Sequence, residues 1–474
     1  MRIGSSARKG LKIGLSLGVL GQLLSWTSTL FVVRMLNPVD FAFLAVSEMT
    51  VGFAIMLSQL GFYGALIRKK ELSEKELNAC FSLLLLFSVF LYLCLLLSKD
   101  FLDVFFERDG IGDLILINGI LILISPMQLI YQVMLNRAMR FELIAKVQIL
   151  MTIVQSIMNL SLVYVGLGYW SIVFSLIITQ LLITIIHRYL CAQRLSLTFE
   201  LARTKGIWED VNTSFFTAVI WDINSRLDVL FIQSFFASNI LGFYRMSKTI
   251  SEKPVSLVSK VIQSITLSTF SKVAHDRKQL SFYIRDSIFF ASFLAFPLFI
   301  GLSMTAVNFV PLILGEKWTP AVQMIQVLCL MQVVNSLKDI SGIGLFAAGN
   351  GKRKVVQAIQ AIIITTLAWL LGTEFSIFVA LLFVFIGEVL WYVLHIHDSK
   401  RYLDLDCVWG VMKVPLFAGT LMALAIYALE QYMDINSDLV DLTVKIGLGF
   451  CTYVIAILVF DNASLKKFLS QLRS

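Results

Sequence analysis

Eight charged residues, not counting Lys272 at the end of the second segment, lie within two strongly apolar segments between residues 211 and 273. A helix that faces lipid could not tolerate them there. An ionised side chain at mid-bilayer costs about 2.5 to 3.5 kcal/mol on insertion scales, so eight facing lipid would cost roughly 24 kcal/mol. We therefore expect them to point at one another or into a water-filled cavity. The eight are Asp222, Arg226, Asp228, Arg245, Lys248, Glu252, Lys253 and Lys260.

Asp222 and Arg226 lie on one polar stripe, and Arg245, Lys248 and Glu252 lie on a second, at the 100° per residue of an α-helix. Five of the eight are basic and three are acidic, so internal pairing leaves an excess of two positive charges. This excess predicts contact with an anionic substrate. The first stripe contains Asp222, Ser225, Arg226 and Gln233, and the second contains Arg245, Lys248, Glu252, Ser256, Ser259 and Gln263.

The basic members of this set are the predicted substrate-binding residues. A guanidinium group binds a phosphate in a bidentate manner, and an ammonium group acts as a point charge. A second interpretation stays open, in which Arg226 pairs with Asp222 and Lys248 with Glu252, each at i, i+4, only to make burial tolerable. The predicted substrate-binding residues are Arg226, Arg245, Lys248 and Lys260.

Acidic residues inside helices are candidates for coupling to H⁺ or Na⁺, because a carboxylate in a low-dielectric site has a raised affinity for either ion. Structural pairing explains each of them equally well. No cofactor or catalytic motif is predicted. No metal site is predicted either, since the six cysteines are widely spaced and form no CxxC. The coupling candidates are Asp222, Asp228, Glu252, Asp339 and Glu48, with Glu388 of the same character.

The composition is that of a polytopic membrane protein. The chain of 474 residues is 58% hydrophobic and only 15% charged, with a mean hydropathy of +0.83. The net charge of +8 does not indicate nucleic-acid binding, because most of it lies in short loops at one membrane face. A soluble catalytic domain is excluded, since no stretch between the apolar segments exceeds about 20 residues.

Hydropathy and helix-breaking residues predict an all-α membrane protein with about 14 transmembrane helices. Of the 39 Lys and Arg residues, 28 fall on one face and 4 on the other, which predicts that both termini are cytoplasmic. The four are Arg34, Lys99, Arg108 and Lys317. The predicted helices are 10–34, 41–66, 78–97, 113–135, 147–166, 170–193, 211–236, 242–272, 285–309, 321–348, 355–372, 375–396, 413–430 and 441–460.

A weak internal repeat relates the two halves of the chain. LFVVRMLNPVDFAF (30–43) aligns with LFIQSFFASNILGF (230–243), each bridging two predicted helices through a short outer turn. An even number of helices separates the repeats, which predicts two six-helix lobes related by a pseudo-twofold axis along the membrane normal. The predicted domains are an N-lobe (1–195), a C-lobe (196–400) and two additional helices with a cytoplasmic tail (401–474).

Several stretches between residues 10 and 400 resemble the Wzx-type polysaccharide flippases, within the superfamily that also holds MATE multidrug exporters and lipid II flippases. The resemblance implies a two-lobe alternating-access fold and no enzymatic activity. The most specific match is FPLFIG followed by LGEKW. The stretches are RMLNPVDFAFLAV (34–46), LGFYGALIRKKELSEKEL (60–77), LNRAMRFELIA (135–145), RLDVLFIQSFFASNILGFYRMSKTI (226–250), FPLFIGLSMTAVNFVPLILGEKWTPAV (296–322) and GLFAAGNGKRK (344–354).

The resemblance also implies a function. The chain is expected to move an undecaprenyl-pyrophosphate-linked oligosaccharide across the bacterial inner membrane for O-antigen, capsule or exopolysaccharide synthesis. An ion gradient is the expected driver, since no ATP site is visible in the sequence. Its expected partners are this lipid-linked oligosaccharide, membrane lipids, a polysaccharide polymerase and a chain-length regulator. Two alternatives stay open. One is a multidrug cation antiporter of the same fold, and the other is an enzyme, a polysaccharide polymerase or ligase.

Overall fold

A computed structural model describes residues 21–460, apart from 70, 199, 201–203, 205–207, 255–275, 348–350, 401–407 and 434–436. The described residues form helices and turns and contain no β-strand. They divide into two compact units, Met1–Gln233 and Ser234–Ser474. The predicted division into an N-lobe, a C-lobe and two added helices rests on connectivity and the repeat, and it stays a prediction.

The first unit contains ten helices in the described part of the chain. The last of them, α10, carries the first polar stripe and continues two residues beyond the unit boundary. The helices are 21–35 (α1), Pro38–Gln59 (α2), Phe62–Arg68 (α3), Glu74–Leu97 (α4), Lys99–Phe105 (α5), Ile111–Asn118 (α6), Ile120–Arg137 (α7), Phe141–Tyr164 (α8), Trp170–Leu190 (α9) and Trp208–Phe235 (α10).

The second unit contains seven α-helices among the described residues. A π-helical turn (Val310–Leu314) and a 3₁₀ turn (Glu316–Ala321) join the second of these to the third. The helices are 238–254 (α11), Arg277–Phe309 (α12), Val322–Ala347 (α13), Gly351–Thr373 (α14), Ile377–Ser399 (α15), Val408–Tyr432 (α16) and Asp438–Phe460 (α17).

Eleven helical segments in the described part of the chain are long and apolar enough to cross a membrane. This confirms the all-helical, membrane-spanning class. The predicted first and eighth helices run through residues outside the described part, so the total of fourteen and the orientation stay predictions. Helix α10 is 28 residues long but is not among the eleven, because the charges of the polar stripe lower its hydropathy.

Two predicted boundaries are wrong for a local reason. Helix α12 begins at Arg277, not at 285, because the Asp276 carboxylate caps it by accepting hydrogen bonds from the backbone N–H groups of Lys278 and Gln279. Arg285 is therefore helical. The segment after α4, predicted as an outer loop, contains the short helix α5.

The core of the first unit places α10 against the helices of the N-terminal half. Val211 of α10 packs with Phe62, Leu66, Leu84 and Ile130. In the α2–α3 turn Gly61 has φ +73°, and a Cβ there would lie 2.7 Å from the backbone nitrogen of Phe215. Glycine is required at this position both for its backbone conformation and for the close approach of α10.

The second unit is organised around α12, the 33-residue helix that contains Pro297. Helices α13, α16 and α17 pack against it, and α15 packs against both α13 and α14. The two C-terminal helices are thus attached to the unit through α12. Close packing of α16 on α12 occurs at Gly419, where an added Cβ would lie 2.8 Å from Cδ1 of Ile300.

Candidate functional site

The first polar stripe is built around Arg226, whose guanidinium group joins α10 to α2. Its Nε and Nη2 donate to the two carboxylate oxygens of Asp222 at 2.6 and 2.9 Å. Its Nη1 donates to the backbone carbonyls of Glu48 and Met49, each at 3.1 Å. The Asp222 pair is bidentate and is only partly exposed, at 21% for Arg226 and 16% for Asp222. The geometry therefore shows the i, i+4 pairing that the sequence left open.

Gly52 provides the space for this guanidinium. A Cβ at residue 52 would lie 2.6 Å from Nη2 and 2.7 Å from Nη1 of Arg226. No side chain larger than hydrogen fits there without displacing the charged group. Glycine at this helical position thus permits the contact between α2 and Arg226, and the contact spans 178 residues of sequence.

We expect Gly52→Ala to lower the free energy of unfolding when Arg226 is present and to raise it when Arg226 is replaced by Ala. In the otherwise natural chain the new methyl group overpacks against Arg226, which costs about 1 to 3 kcal/mol of unfolding free energy. In an Arg226→Ala background the clash is absent, and Ala stabilises the helix by about 1 kcal/mol relative to Gly. Thermal unfolding of the four purified proteins in detergent gives the coupling energy of this double-mutant cycle.

Gly447→Ala is the matched control, since nothing lies within 4 Å of a Cβ at that position in α17. It should have the same effect in both backgrounds. Additive effects of Gly52→Ala and Arg226→Ala would contradict the placement of the guanidinium over Gly52.

The second polar stripe lies on the less buried face of α11. Arg245 and Lys248 are half-buried and Glu252 is exposed. The opposite face is packed: Met246 and Ser247 are fully buried, and the Ser247 hydroxyl donates to the Ala321 carbonyl at 3.3 Å. Phe243 of the same face meets the ring of Trp318 edge-on at 5.9 Å. Arg245, Lys248 and Glu252 thus share one face of α11, and the packed residues Phe243, Met246 and Ser247 share another.

The remaining predicted residues differ in how far they can be described. Asp228 lies on α10, and its Oδ1 accepts a hydrogen bond from the backbone N–H of Val229 at 2.8 Å. Glu48 is half-buried on α2. Lys260 lies outside the described residues, and Asp339 is described only as a position in α13.

The structure also brings together an ion pair that the sequence did not predict as a pair. Lys338 Nζ on α13 lies 2.8 Å from Glu388 Oε2 on α15, and the two side chains are each 17% exposed. The Lys338 ammonium also lies 5.4 Å from the centroid of the Trp391 ring. Glu388 stood out in the sequence as an acidic residue inside an apolar helix, but 50 residues separate it from Lys338, and only packing identifies the partner.

A chain of polar contacts continues from this pair along α15. Trp391 stacks on His395 at 5.1 Å between ring centroids, and His395 Nε2 lies 2.8 Å from the Ser341 hydroxyl of α13. One turn further, the Asp398 carboxylate accepts a hydrogen bond from Arg353 Nε of α14 at 2.6 Å. Acidic, basic and imidazole groups therefore line the contact of α15 with α13 and α14.

Guanidinium, ammonium, carboxylate and imidazole groups are of the types that bind anions and exchange protons. In the portion of the chain that can be described, no cluster of three His, Cys, Asp or Glu side chains is placed to hold a metal ion. The chemistry available at the two polar stripes and at the Lys338–Glu388 pair is charge pairing and protonation.

Comparison with known proteins places the chain among proteins of polysaccharide biosynthesis. It is 22% identical over 303 residues to the teichuronic acid biosynthesis protein TuaB of Bacillus subtilis, covering 63% of this chain and 62% of TuaB. It is 21% identical over 325 residues to the lipopolysaccharide biosynthesis protein WzxC of Escherichia coli, covering 66% of this chain and 64% of WzxC. The chain thus spans less than two thirds of the length of either relative.

The fold is that of a solved flippase. A structure of the lipid II flippase MurJ in an inward closed conformation superimposes with a TM-score of 0.74 at 15% identity, covering 94% of this chain and 98% of MurJ. Residues 31–323 match a family model described as "Polysaccharide biosynthesis protein". These findings confirm the resemblance read from the sequence. Since the family match covers more than half of the chain, this protein belongs to the polysaccharide biosynthesis protein family.

Proposed function

We propose that this protein is a flippase that moves a lipid-linked oligosaccharide from the cytoplasmic to the periplasmic leaflet of a bacterial inner membrane. The family match over residues 31–323 carries this proposal. The names of TuaB and WzxC point to surface polysaccharides, and the MurJ-like fold supports a lipid-linked cargo. A polymerase and a chain-length regulator are the partners that such a pathway would require.

The proposed cargo combines an anionic pyrophosphate and a polar glycan with a long apolar tail. Arg245 and Lys248 on the less buried face of α11 are the proposed first contacts of the pyrophosphate, because guanidinium and ammonium groups both bind phosphate oxygens. Lys260 belongs to the same proposed set. Arg226 has its guanidinium committed to Asp222 and to carbonyls of α2 in this structure, so a cargo contact there requires the pair to open.

An ion gradient is the proposed driving force, with H⁺ or Na⁺ as the coupling ion. The candidate groups are the carboxylates of Asp222, Asp228 and Glu252 on α10 and α11, together with those of Glu48, Asp339 and Glu388. Glu388 has the clearest geometry for such a role. An anionic cargo that binds Lys338 would release the Glu388 carboxylate, which could then take up a proton in a low-dielectric site. Competition between cargo and carboxylate for one lysine would couple the two fluxes.

The test of cargo binding is the double variant Arg245→Ala, Lys248→Ala in a strain that depends on this protein. We expect surface polysaccharide to fall about tenfold or more, which corresponds to ~1.4 kcal/mol or more of lost cargo stabilisation. Immunoblotting of surface glycan, normalised to the amount of protein in the membrane, measures the effect. Unchanged export with normal protein levels would contradict the role of these two cations.

The matched control removes two cations that lie at exposed positions, Lys99→Ala with Lys146→Ala. Their side chains are 35% and 57% exposed in surface ion pairs, and such pairs contribute little to stability.

In a deletion strain, lipid-linked sugar should accumulate on the cytoplasmic leaflet. Accumulation on the periplasmic leaflet would favour a polymerase instead.

A further inference from the structure

Arg108 is a buried cation in the turn between α5 and α6, outside the membrane-spanning segments. It is only 7% exposed. Its guanidinium carbon lies 5.4 Å from the centroid of the Phe43 ring, which itself stacks on Tyr169 at 5.7 Å. A guanidinium over an aromatic face is a cation–π contact. The side chain is therefore held in one position by packing, not by a carboxylate.

One hydrogen bond connects this guanidinium to α10. Arg108 Nη2 donates to Gln233 Oε1 at 2.9 Å, and Gln233 Nε2 donates to the Phe106 carbonyl at 3.3 Å. Gln233 belongs to the same polar stripe of α10 as Arg226. The two residues are seven positions apart, which is two helical turns, or roughly 10 Å along the helix at 1.5 Å per residue. Arg108 thus extends the polar face of α10 by a second guanidinium.

The charge of Arg108 has no counter-charge among the described residues. Its Nε and Nη1 are buried and have no hydrogen-bond partner there. Burial away from water lowers the pKa of the Arg108 guanidinium, but arginine stays protonated in proteins. A buried cation is stable in a protein when it is paired and hydrogen-bonded, so the two orphaned N–H groups of this guanidinium are suited to an anionic ligand.

We propose that Arg108 is an anion-binding site for a phosphate-type group at the outer end of α10. Either orphaned nitrogen forms a fork for bidentate phosphate binding together with Nη2 once Nη2 is released from Gln233, and the predicted topology places the α5–α6 turn on the periplasmic face. Nε and Nη1 have almost no contact with solvent in this structure, so the anion binds when the turn separates from α10. Resting on the proposed function, this assigns Arg108 to the pyrophosphate of the cargo during release.

Binding by the full-length protein in nanodiscs tests the site independently of transport. The probes are inorganic pyrophosphate in solution and undecaprenyl phosphate in the bilayer, and the readout is the saturable shift of the thermal unfolding midpoint. We expect Arg108→Gln to weaken binding of at least one probe about tenfold. Gln233→Leu, which removes the competing hydrogen bond, should strengthen it. Comparison of the two probes shows whether the site binds a lipid-linked anion or a free one.

Lys99→Gln is the matched control, since it removes another cation that is predicted to lie on the same face and is paired at the surface with Asp113 at 2.6 Å. It should bind both probes as the natural protein does. Equal affinities of the natural protein and Arg108→Gln, or no saturable binding of either probe, would overturn the proposal. If Arg108→Gln fails to fold, Arg108→Lys keeps the charge, loses the fork and should weaken binding to an intermediate degree.

Transport measurements distinguish failure of the anion site from failure of the proposed flippase function. If the protein is a flippase, Arg108→Gln should reduce surface polysaccharide about tenfold while Lys99→Gln does not. If deletion causes no accumulation of lipid-linked sugar, the flippase proposal fails, but binding that depends on Arg108 would still establish the anion site.

Discussion

Reversing the Lys338–Glu388 pair, by combining Lys338→Glu with Glu388→Lys, should recover most of the stability that either single variant loses without recovering transport. Each single variant leaves two like charges facing each other between α13 and α15. Breaking a buried ion pair costs about 3 to 5 kcal/mol, and both side chains are only 17% exposed. The double variant regains the attraction, although it loses the cation–π contact of Lys338 with Trp391.

Transport should respond differently, because the proposed cycle needs a cation on α13 and a carboxylate on α15 in their natural places. We expect the reversed pair to stay about tenfold or more below the natural protein in surface polysaccharide. Thermal unfolding in detergent and immunoblotting of surface glycan give the two readouts. If the reversed pair exports glycan normally, the two residues only neutralise each other, and coupling must be assigned to another carboxylate.

Lys445→Met is expected to destabilise the protein by about 3 to 5 kcal/mol, the typical cost of removing one partner of a buried pair. Lys445 is 2% exposed in α17, with its Nζ 3.0 Å from Asp441 and 2.8 Å from the Oδ1 of Asn308 in α12. Asn308 Nδ2 also donates to Asp441 at 2.9 Å. Loss of the ammonium leaves the Asp441 carboxylate without this counter-charge and removes one of the two polar contacts between α17 and α12.

The control for this variant is Lys413→Met in α16, where the natural side chain is exposed. It should change the unfolding free energy by less than about 0.5 kcal/mol, as surface substitutions usually do. A double variant, Lys445→Met with Asp441→Asn, should recover part of the loss by removing the orphaned charge. Equal unfolding midpoints for Lys445→Met and Lys413→Met would mean that the network contributes nothing to the attachment of α17.

Hydropathy located the helix that contains Lys445 but not the residues that pair with it. Lys445 lies inside the last predicted helix, and the sequence gave no sign of its partner in α12. Asn308 lies 137 residues earlier, so no local pattern connects them. The structure shows that a polar network joins α17 to α12 within the second unit.

Hydropathy, charge bias and helical periodicity were sufficient for the membrane-spanning, all-helical class and for most helix positions. They also indicated that Asp222 and Arg226 avoid lipid. These properties follow from the cost of moving a charge or a bare peptide group into hydrocarbon, a cost that each segment meets by itself. Helix ends were less certain, because α12 starts where the Asp276 side chain caps it, eight residues before the apolar run.

Partner choice is different in kind, because it depends on distances between residues that are far apart in the chain. The contacts of Arg226 with α2 over Gly52, of Lys338 with Glu388 and of Arg108 with Phe43 and Gln233 all arise when helices pack. A charge in an apolar segment indicates that the side chain needs a polar partner. The identity of that partner, whether another side chain or a cargo, is determined by how the helices pack together.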